Sequence, residues 1–394
     1  MKKTKYLIVG AGLTADAACK GIRELDSAGT IVVVGEERNP PYARPPLSKA
    51  LWKGQDESTI WCETAELGVD LQLGRRVVDL DLERREARDD RGESYTYERL
   101  LLATGGRPRR LSFGGDEVIY FRTLDDYRQL RALTDADGTR FLVIGGGFIG
   151  SEITAALAMN GRPVTVVFPD PGIGARVFPT ELSAFVTDYY RDKGVEVLTG
   201  TSVTGIERIG GVARVSTEDG RSLETDVVLA GLGIEPRTEV AAAAGLPVED
   251  GIAVDEHGRV DGREDVFAAG DVARFPAAVL DKTMRVEHED HAKSHGRLVG
   301  INMAGADEPY DHLPFFYSDL FDLGYEAVGE LDPRHATVAE WDEPNRKGIV
   351  YYLDADRHPR GVLLWNIFGR VDAARDLIRA RRPIEASTLS ELVG

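Results

Sequence analysis

FLVIGGGFIGSE, residues 141–152, joins a short apolar run to Gly145, Gly147 and Gly150, and an alanine-rich segment follows. That order predicts a buried strand, a tight turn and a helix whose first amide N–H groups are available to hold a pyrophosphate. One glycine motif of this kind is weak on its own. A second copy lies upstream in LIVGAGLTA (7–15), with Gly10, Gly12 and Ala15 in the corresponding places. Two such turns in one chain predict two nucleotides held face to face.

A chain of 394 residues is long enough for two or three domains with substantial cores. Hydrophobic residues make up 42% and charged residues 29%, the balance of an ordinary globular protein. No apolar run approaches the ~20 residues needed to span a bilayer. The start, MKKTKYLIVGAGLTADA, imitates a signal peptide, but cleavage there would destroy the first glycine motif, so it reads as a strand. Cys19 and Cys62 are the only cysteines. With no Cys-x-x-Cys they exclude a paired-thiol relay of that type, and they fit a reducing cytoplasm. The net charge of -18 argues against nucleic acid as a partner. The local basic runs Arg107, Arg109, Arg110 and Arg379, Arg381, Arg382 read as solvated faces.

Around the first turn, residues 31–34 read as the next strand. Glu36 stands just past it, about where an acidic side chain accepts hydrogen bonds from a ribose. The loop NPPYARPPLSK (39–49) is stiffened by prolines before a helix near Ser48. It carries Arg44 and Lys49, for which a pyrophosphate and a flavin ring are plausible targets; loop anchoring through salt bridges is the alternative. Residues 69–97 read as a strand-rich meander, with ERREARDDRGE (83–93) as its exposed turn. LLLATGGRPR (100–109) reads as a strand ending in Thr104, Gly105 and Gly106, where backbone can approach a ligand closely. VFAAGDVA (266–273) ends a strand in Gly270 and Asp271, a carboxylate suited to a polyol chain.

The second nucleotide unit begins near Gly114. Asp170 follows its next strand (164–168) at the acidic ribose position and would repel a 2′-phosphate, which favours NADH over NADPH. Arg176 pulls the other way, because a guanidinium can bind a phosphate. Residues 195–215 and 227–232 return as strands and close in GLGIEPR (231–237). Beyond residue 309 the chain becomes aromatic and β-rich, in FFYSDL (315–320), GIVYYL (348–353) and GVLLWNIF (361–368), and then helical. The predicted fold is α/β, with two Rossmann-like dinucleotide-binding domains and a C-terminal α+β domain. The expected boundaries are 1–113 with 235–308 for FAD, 114–234 for NAD, and 309–394 for the third domain.

In this order the motifs resemble the two-dinucleotide-domain flavoprotein reductases of the pyridine nucleotide-disulfide oxidoreductase superfamily. YARPPLSK (42–49) and the missing cysteine pair narrow the resemblance to NADH-dependent ferredoxin reductases of oxygenase systems. VFPDPGIGARVFPTELS (167–183), MRVEHEDHA (284–292), FFYSDL and GVLLWNIF look like apoptosis-inducing factor and its bacterial relatives. The resemblance covers essentially the whole chain. It implies FAD contacts at Gly10, Gly12, Glu36, Arg44, Lys49, Val77, Arg122 and Asp271. It implies NADH contacts at Gly147, Phe148, Ile149, Glu152, Asp170, Arg176, Gly233 and Glu287. Phe148 would lie where nicotinamide stacks, and Lys49 and Glu152 match a lysine–glutamate pair beside the reactive edge of the flavin. His288 and Tyr317 would face the isoalloxazine, with Lys49, Glu152, Phe148 and His288 as the catalytic set. The chain departs from apoptosis-inducing factor at Glu289, where that protein has a second histidine, and at Tyr317, where it has tryptophan. A metal reading of His288, Glu289, Asp290 and His291 is the weaker one, since zinc needs further ligands in reach. Trp365 and Phe368 read as core or flavin-side packing.

The expected activity is hydride transfer from NADH to FAD, then electron transfer to a ferredoxin-type iron–sulfur protein. Two acidic proteins would repel at low salt unless a local basic patch meets the partner. The alternative is an apoptosis-inducing factor-like NADH oxidoreductase or redox sensor with a long-lived reduced flavin–NAD complex, whose acceptor is a quinone or oxygen. A third reading is a binding protein that uses NADH only to switch state. A cytoplasmic monomer or homodimer is expected.

Overall fold

Two parallel five-stranded sheets carry the two glycine turns. Their central strands, Tyr6–Val9 (YLIV) and Phe141–Ile144 (FLVI), are wholly apolar and wholly buried. That is the pattern of a parallel strand covered on both faces. The helices are α1 (Leu13–Leu25), α2 (Leu124–Leu133), α3 (Phe148–Met159), α4 (Thr180–Asp192), α5 (Glu239–Ala243), α6 (Glu289–Met303) and α7 (Val371–Ala380). The computed structural model describes residues 1–384. They divide into two units, Met1–Ala43, Glu57–Arg107 and Glu235–Pro314 in unit 1, and Arg44–Asp56, Pro108–Ile234 and the chain from Phe315 onward in unit 2. The sequence reading grouped residues 44–56 with the first nucleotide domain and set 309–394 apart. In the structure residues 44–56 and the C-terminal sheet cluster with the second glycine turn, and residues 385–394 lie outside the described residues.

In unit 1 the parallel sheet runs Val266–Ala268, Arg99–Leu102, Tyr6–Val9, Ile31–Gly35, Asp70–Leu73. Helix α1 buries Ala15, Ala18, Cys19 and Ile22 against it, together with Val299 and Met303 of α6. The two helices touch through glycines. A Cβ on Gly296 would stand 2.5 Å from the Thr14 carbonyl oxygen, and one on Gly300 would stand 2.2 Å from that of Ala18.

The charged run 83–93 is more than an exposed turn. Its middle is a strand, Glu86–Asp89, and Asp89 is only 2% exposed. Asp89 accepts hydrogen bonds from Arg75 Nη1 (2.9 Å) and the Tyr95 hydroxyl (2.8 Å). Burial alone would raise its pKa, but Arg75, Tyr95 and the Glu93 and Arg91 amides outweigh burial and hold it at about 2.

In unit 2 the parallel sheet runs Val118–Tyr120, Val227–Ala230, Phe141–Ile144, Val164–Val167, Glu196–Leu198. A three-stranded antiparallel sheet (203–225) shares its core through Val203, Ile206, Ala213 and Val215. The C-terminal antiparallel sheet is ordered Phe315–Leu320, Leu323–Gly329, Pro359–Trp365, Lys347–Leu353, Ala336–Glu343, and α7 packs on it. Trp365 is fully buried there, stacked on Tyr325, whereas Phe368 is 60% exposed. No helix among the described residues is long and apolar enough to cross a membrane.

Candidate functional site

Each glycine turn is built to bring backbone up against backbone and then open a helix. Gly10 has φ +113°, and a Cβ there would fall 2.0 Å from the Ala103 carbonyl oxygen; Gly145 has φ +119°, and a Cβ would fall 2.4 Å from that of Gly231. Neither position tolerates a side chain. Gly12 and Gly147 do the opposite. Each is the N-cap of its helix, α1 or α3, with no side chain capping the first turn and open space where a Cβ would point. Helix starts with no side-chain cap, and with open space beside Gly12 and Gly147, fit the phosphates of a dinucleotide in both units. Ala15 and Gly150 are buried just inside the two helices.

In unit 1, Glu36 follows the strand Ile31–Gly35 and is ion-paired with Arg237. The Arg237 backbone is tied to the ATGG turn, its N–H donating to the Gly105 carbonyl (2.9 Å) and its carbonyl accepting from Thr104 Oγ1 (2.7 Å). Val77 is buried at the start of its strand. Gly270 and Asp271 form a short turn after the strand Val266–Ala268. Arg285 links two expected contacts, donating to the Asp271 carbonyl (3.1 Å) and pairing with the Glu287 carboxylate (2.7 Å). His288 is the N-cap residue of α6. The residue is partly buried, and desolvation lowers its pKa to about 4 despite the opposing charges of Asp271 and Asp290.

Behind it, His291 and His295 are completely buried. His291 Nδ1 bonds the Tyr310 hydroxyl (2.9 Å), and His295 Nδ1 accepts from the Gly270 amide (3.4 Å). Burial lowers the pKa of His295 to about 3 and that of His291 well below the ordinary range. The grouping of three potential metal ligands among the described residues is elsewhere, at Glu330, Asp332 and His335. Arg360 and Arg334 already pair its carboxylates.

Unit 2 holds a buried polar cluster around Glu152. The prolines at 45 and 46 begin a 3-10 turn, Pro45–Ser48, which projects Lys49 inward, and Glu152 projects from the first turns of α3. Lys49 Nζ lies 2.7 Å from Glu152 Oε2, with the side chains 9% and 3% exposed. Ser48 Oγ donates to the same oxygen (2.5 Å), and Ser318 Oγ donates to Oε1 (2.6 Å). Tyr317 lies under the ammonium, its ring centroid 5.4 Å from Nζ. Phe148 and Ile149 remain partly exposed at the helix start, and the Phe148 ring meets Phe316 edge-on at 5.1 Å. Arg44 donates to the Arg122 carbonyl (3.0 Å), and the Arg122 amide donates to Asp126 within the capping box of α2. Asp170 pairs with the exposed Arg176 at 3.1 Å, and Gly233 sits in an open turn with φ +80°.

Thus Lys49, Glu152, Tyr317 and Phe148 gather in one unit, and Glu36, Asp271, Glu287 and His288 belong to the other. Sequence reasoning missed Ser48, Ser318, Arg237 and Arg285. The two serines lie inside PPLSK and FFYSDL, and the signal available was the need of a buried carboxylate for donors.

A family model described as pyridine nucleotide-disulphide oxidoreductase matches residues 4–296. One described as the C-terminal part of apoptosis-inducing factor, mitochondrion-associated, matches residues 299–346. The chain is 34% identical to mitochondrial apoptosis-inducing factor 1 of Dictyostelium discoideum, over 98% of this chain and 80% of that protein. It is 33% identical to the ferredoxin–NAD(+) reductase component of the anthranilate 1,2-dioxygenase system of Burkholderia cepacia, over 96% and 95%. Among solved structures, the covalent putidaredoxin reductase–putidaredoxin complex contains a chain that superposes with a TM-score of 0.91 at 31% identity, covering 99% of this chain and 96% of that one.

Proposed function

The chain belongs to the pyridine nucleotide-disulphide oxidoreductase family, and from that premise we propose that it carries electrons from NADH through FAD to a ferredoxin-type iron–sulfur protein. It is an NADH-dependent flavoprotein oxidoreductase with FAD and NAD(H) as cofactors. Bound FAD supplies a centre that accepts a hydride and passes electrons onward. The open N-terminus of α1, with Glu36 and Asp271, holds FAD; that of α3, with Asp170, holds NADH. This assigns FAD to 1–113 and 235–308, NADH to 114–234, and a third domain to 309–394.

The observation that carries the reading is the buried Lys49–Glu152 pair. Lys49 presents a fixed positive charge, and Glu152 keeps that ammonium oriented; an isolated buried cation would tend to lose its proton. Phe148, one residue past the N-cap of α3, offers an aromatic surface for nicotinamide. His288, with its pKa near 4, is neutral at pH 7 and acts as a hydrogen-bonding partner, not as a cation.

The cysteines support direct electron exit. Burial raises the pKa of Cys19 to about 12 and that of Cys62 to about 11, which leaves both thiols unreactive near neutral pH. Unpaired cysteines also support a cytoplasmic location, and a monomer or homodimer completes the proposal. The match of residues 299–346 to apoptosis-inducing factor favours a second reading, a slow NADH oxidoreductase or redox sensor acting on a quinone or oxygen. Cytochrome c reduction assayed with and without an added ferredoxin separates them. Fast, ferredoxin-dependent turnover supports the first; slow air oxidation and a persistent long-wavelength band after NADH support the second.

A further inference from the structure

We infer that Ser318, seconded by Ser48, is a positioning residue that fixes the Lys49 ammonium by locking the Glu152 carboxylate, an inference that rests on the role proposed above for that pair. Glu152 is 3% exposed, and its oxygens are met by three donors from two stretches of chain far from α3. Oε2 takes Lys49 Nζ and Ser48 Oγ, and Oε1 takes Ser318 Oγ at 2.6 Å. Rotation about the last bond of the glutamate would exchange the two oxygens. Holding Oε1 on Ser318 stops that rotation and keeps Oε2 aimed at Lys49.

The direction of the Ser318 bond is set by its partner, because a carboxylate oxygen can only accept. Tyr325 is the cross-strand partner of Ser318. Burial and the nearby Glu152 charge hold its phenol protonated, so Glu152 is the one anion beside the serine hydroxyl. The single serine proton is committed to Glu152. Tyr325 is itself immobile, stacked on Trp365 and edge-on to Phe178 and Phe316. The ammonium is thereby held between Glu152 on one side and the Tyr317 ring on the other.

Ser318→Ala, Ser318→Thr and Ser48→Ala in the FAD-loaded protein test this. Ser318→Ala is expected to slow flavin reduction by NADH about tenfold, the scale of one lost hydrogen bond to a charged group. KM for NADH should stay unchanged, and the midpoint potential of the bound flavin should move to a more negative value. Ser318→Thr, which keeps the hydroxyl, should restore both rate and potential. Should Ser318→Ala fail to fold, Ser48→Ala decides, with the same shifts expected in smaller measure because Lys49 still holds Oε2. A wild-type rate and potential in the alanine variant that folds would overturn the inference. So would a slowed rate with an unmoved potential that threonine does not rescue. If Lys49→Ala and Glu152→Ala also leave rate and potential unchanged, the proposed role of the pair fails first; if they change both and Ser318→Ala changes neither, only the serine lock fails.

Discussion

Lys49 Nζ sits 2.7 Å from Glu152 Oε2, although one residue ends a proline-rich turn and the other rises from the helix behind the second glycine turn. Both side chains are almost closed to water. Desolvating two charges costs more than a buried pair usually returns relative to apolar residues of similar volume. Stability is therefore a poor reason for the pair, and chemistry a better one.

Removing either member should separate catalysis from cofactor content. Lys49→Ala and Glu152→Ala are expected to slow NADH-driven flavin bleaching by roughly 10²-fold, the scale of one lost electrostatic stabiliser. FAD content should remain near wild type. Glu152→Ala should also lose about 3–5 kcal/mol of stability, because it strands a buried ammonium. Stopped-flow traces and denaturant melts read the two effects independently, and wild-type bleaching rates would refute the role.

The glycines make opposite predictions within one turn. Gly145→Ala forces a Cβ to 2.4 Å from the Gly231 carbonyl at a positive φ and should prevent correct folding of the second sheet. Gly147→Ala meets nothing within 4 Å and should fold normally, but its methyl group would project into the space proposed for the pyrophosphate. Its KM for NADH should rise severalfold while FAD content holds. A Gly147→Ala variant with wild-type KM would remove the phosphate assignment.

Nucleotide choice turns on Asp170 and its partner. The wild type should prefer NADH by kcat/KM. In Asp170→Ala the preference should narrow, since the change removes a repelling carboxylate and releases Arg176 from its 3.1 Å ion pair. A wild type that prefers NADPH would overturn this reading.

Acid should weaken unit 1 well above the range in which carboxylates protonate. The pKa of His295 falls to about 3 and that of His288 to about 4, both through burial, while His291 falls well below its usual value through burial and the neighbouring histidines. Unfolded histidine titrates near 6.5, so below that pH the unfolded chain binds protons that the folded one refuses. Stability must then fall as pH drops, by up to about 1.4 kcal/mol per pH unit for each such group. The decline continues until pH passes the folded values. His288, the least buried of the three, should contribute least. Denaturant midpoints near neutral pH and at about pH 5 measure the slope, and equal midpoints would show that these rings titrate normally.

Much of the fold was legible because its signals are local. A buried parallel strand has to be an unbroken apolar run, and a backbone at φ above +100° against a neighbouring carbonyl has to be glycine, so YLIV-G and FLVI-G announce themselves. What escaped was pairing between distant segments. The hydroxyls on Glu152 come from residues 104 and 166 positions away, and nothing in PPLSK or FFYSDL says which acid they meet. Asp89 escaped for a related reason. Inside a run of exposed charges, its burial is decided by Arg75 in a loop and Tyr95 on another strand. Phe368 reads as core or flavin-side packing, yet it stands three positions past the strand Pro359–Trp365 and is 60% exposed, so it is not core.

The glycine-spaced contact between α1 and α6 has a mechanical consequence. The pairs Thr14–Gly296 and Ala18–Gly300 run in the same direction along both helices, with each absent Cβ replaced by a carbonyl of the other helix. Such a seam has no room to slide or tilt. The amides at the start of α1 and the imidazole at the start of α6 are therefore carried on one rigid strut, and any displacement at one end is delivered to the other. Adjustment between those two ends is left to side-chain rotation alone, and one added methyl group at Gly300 would act as a wedge felt along the whole length of both helices.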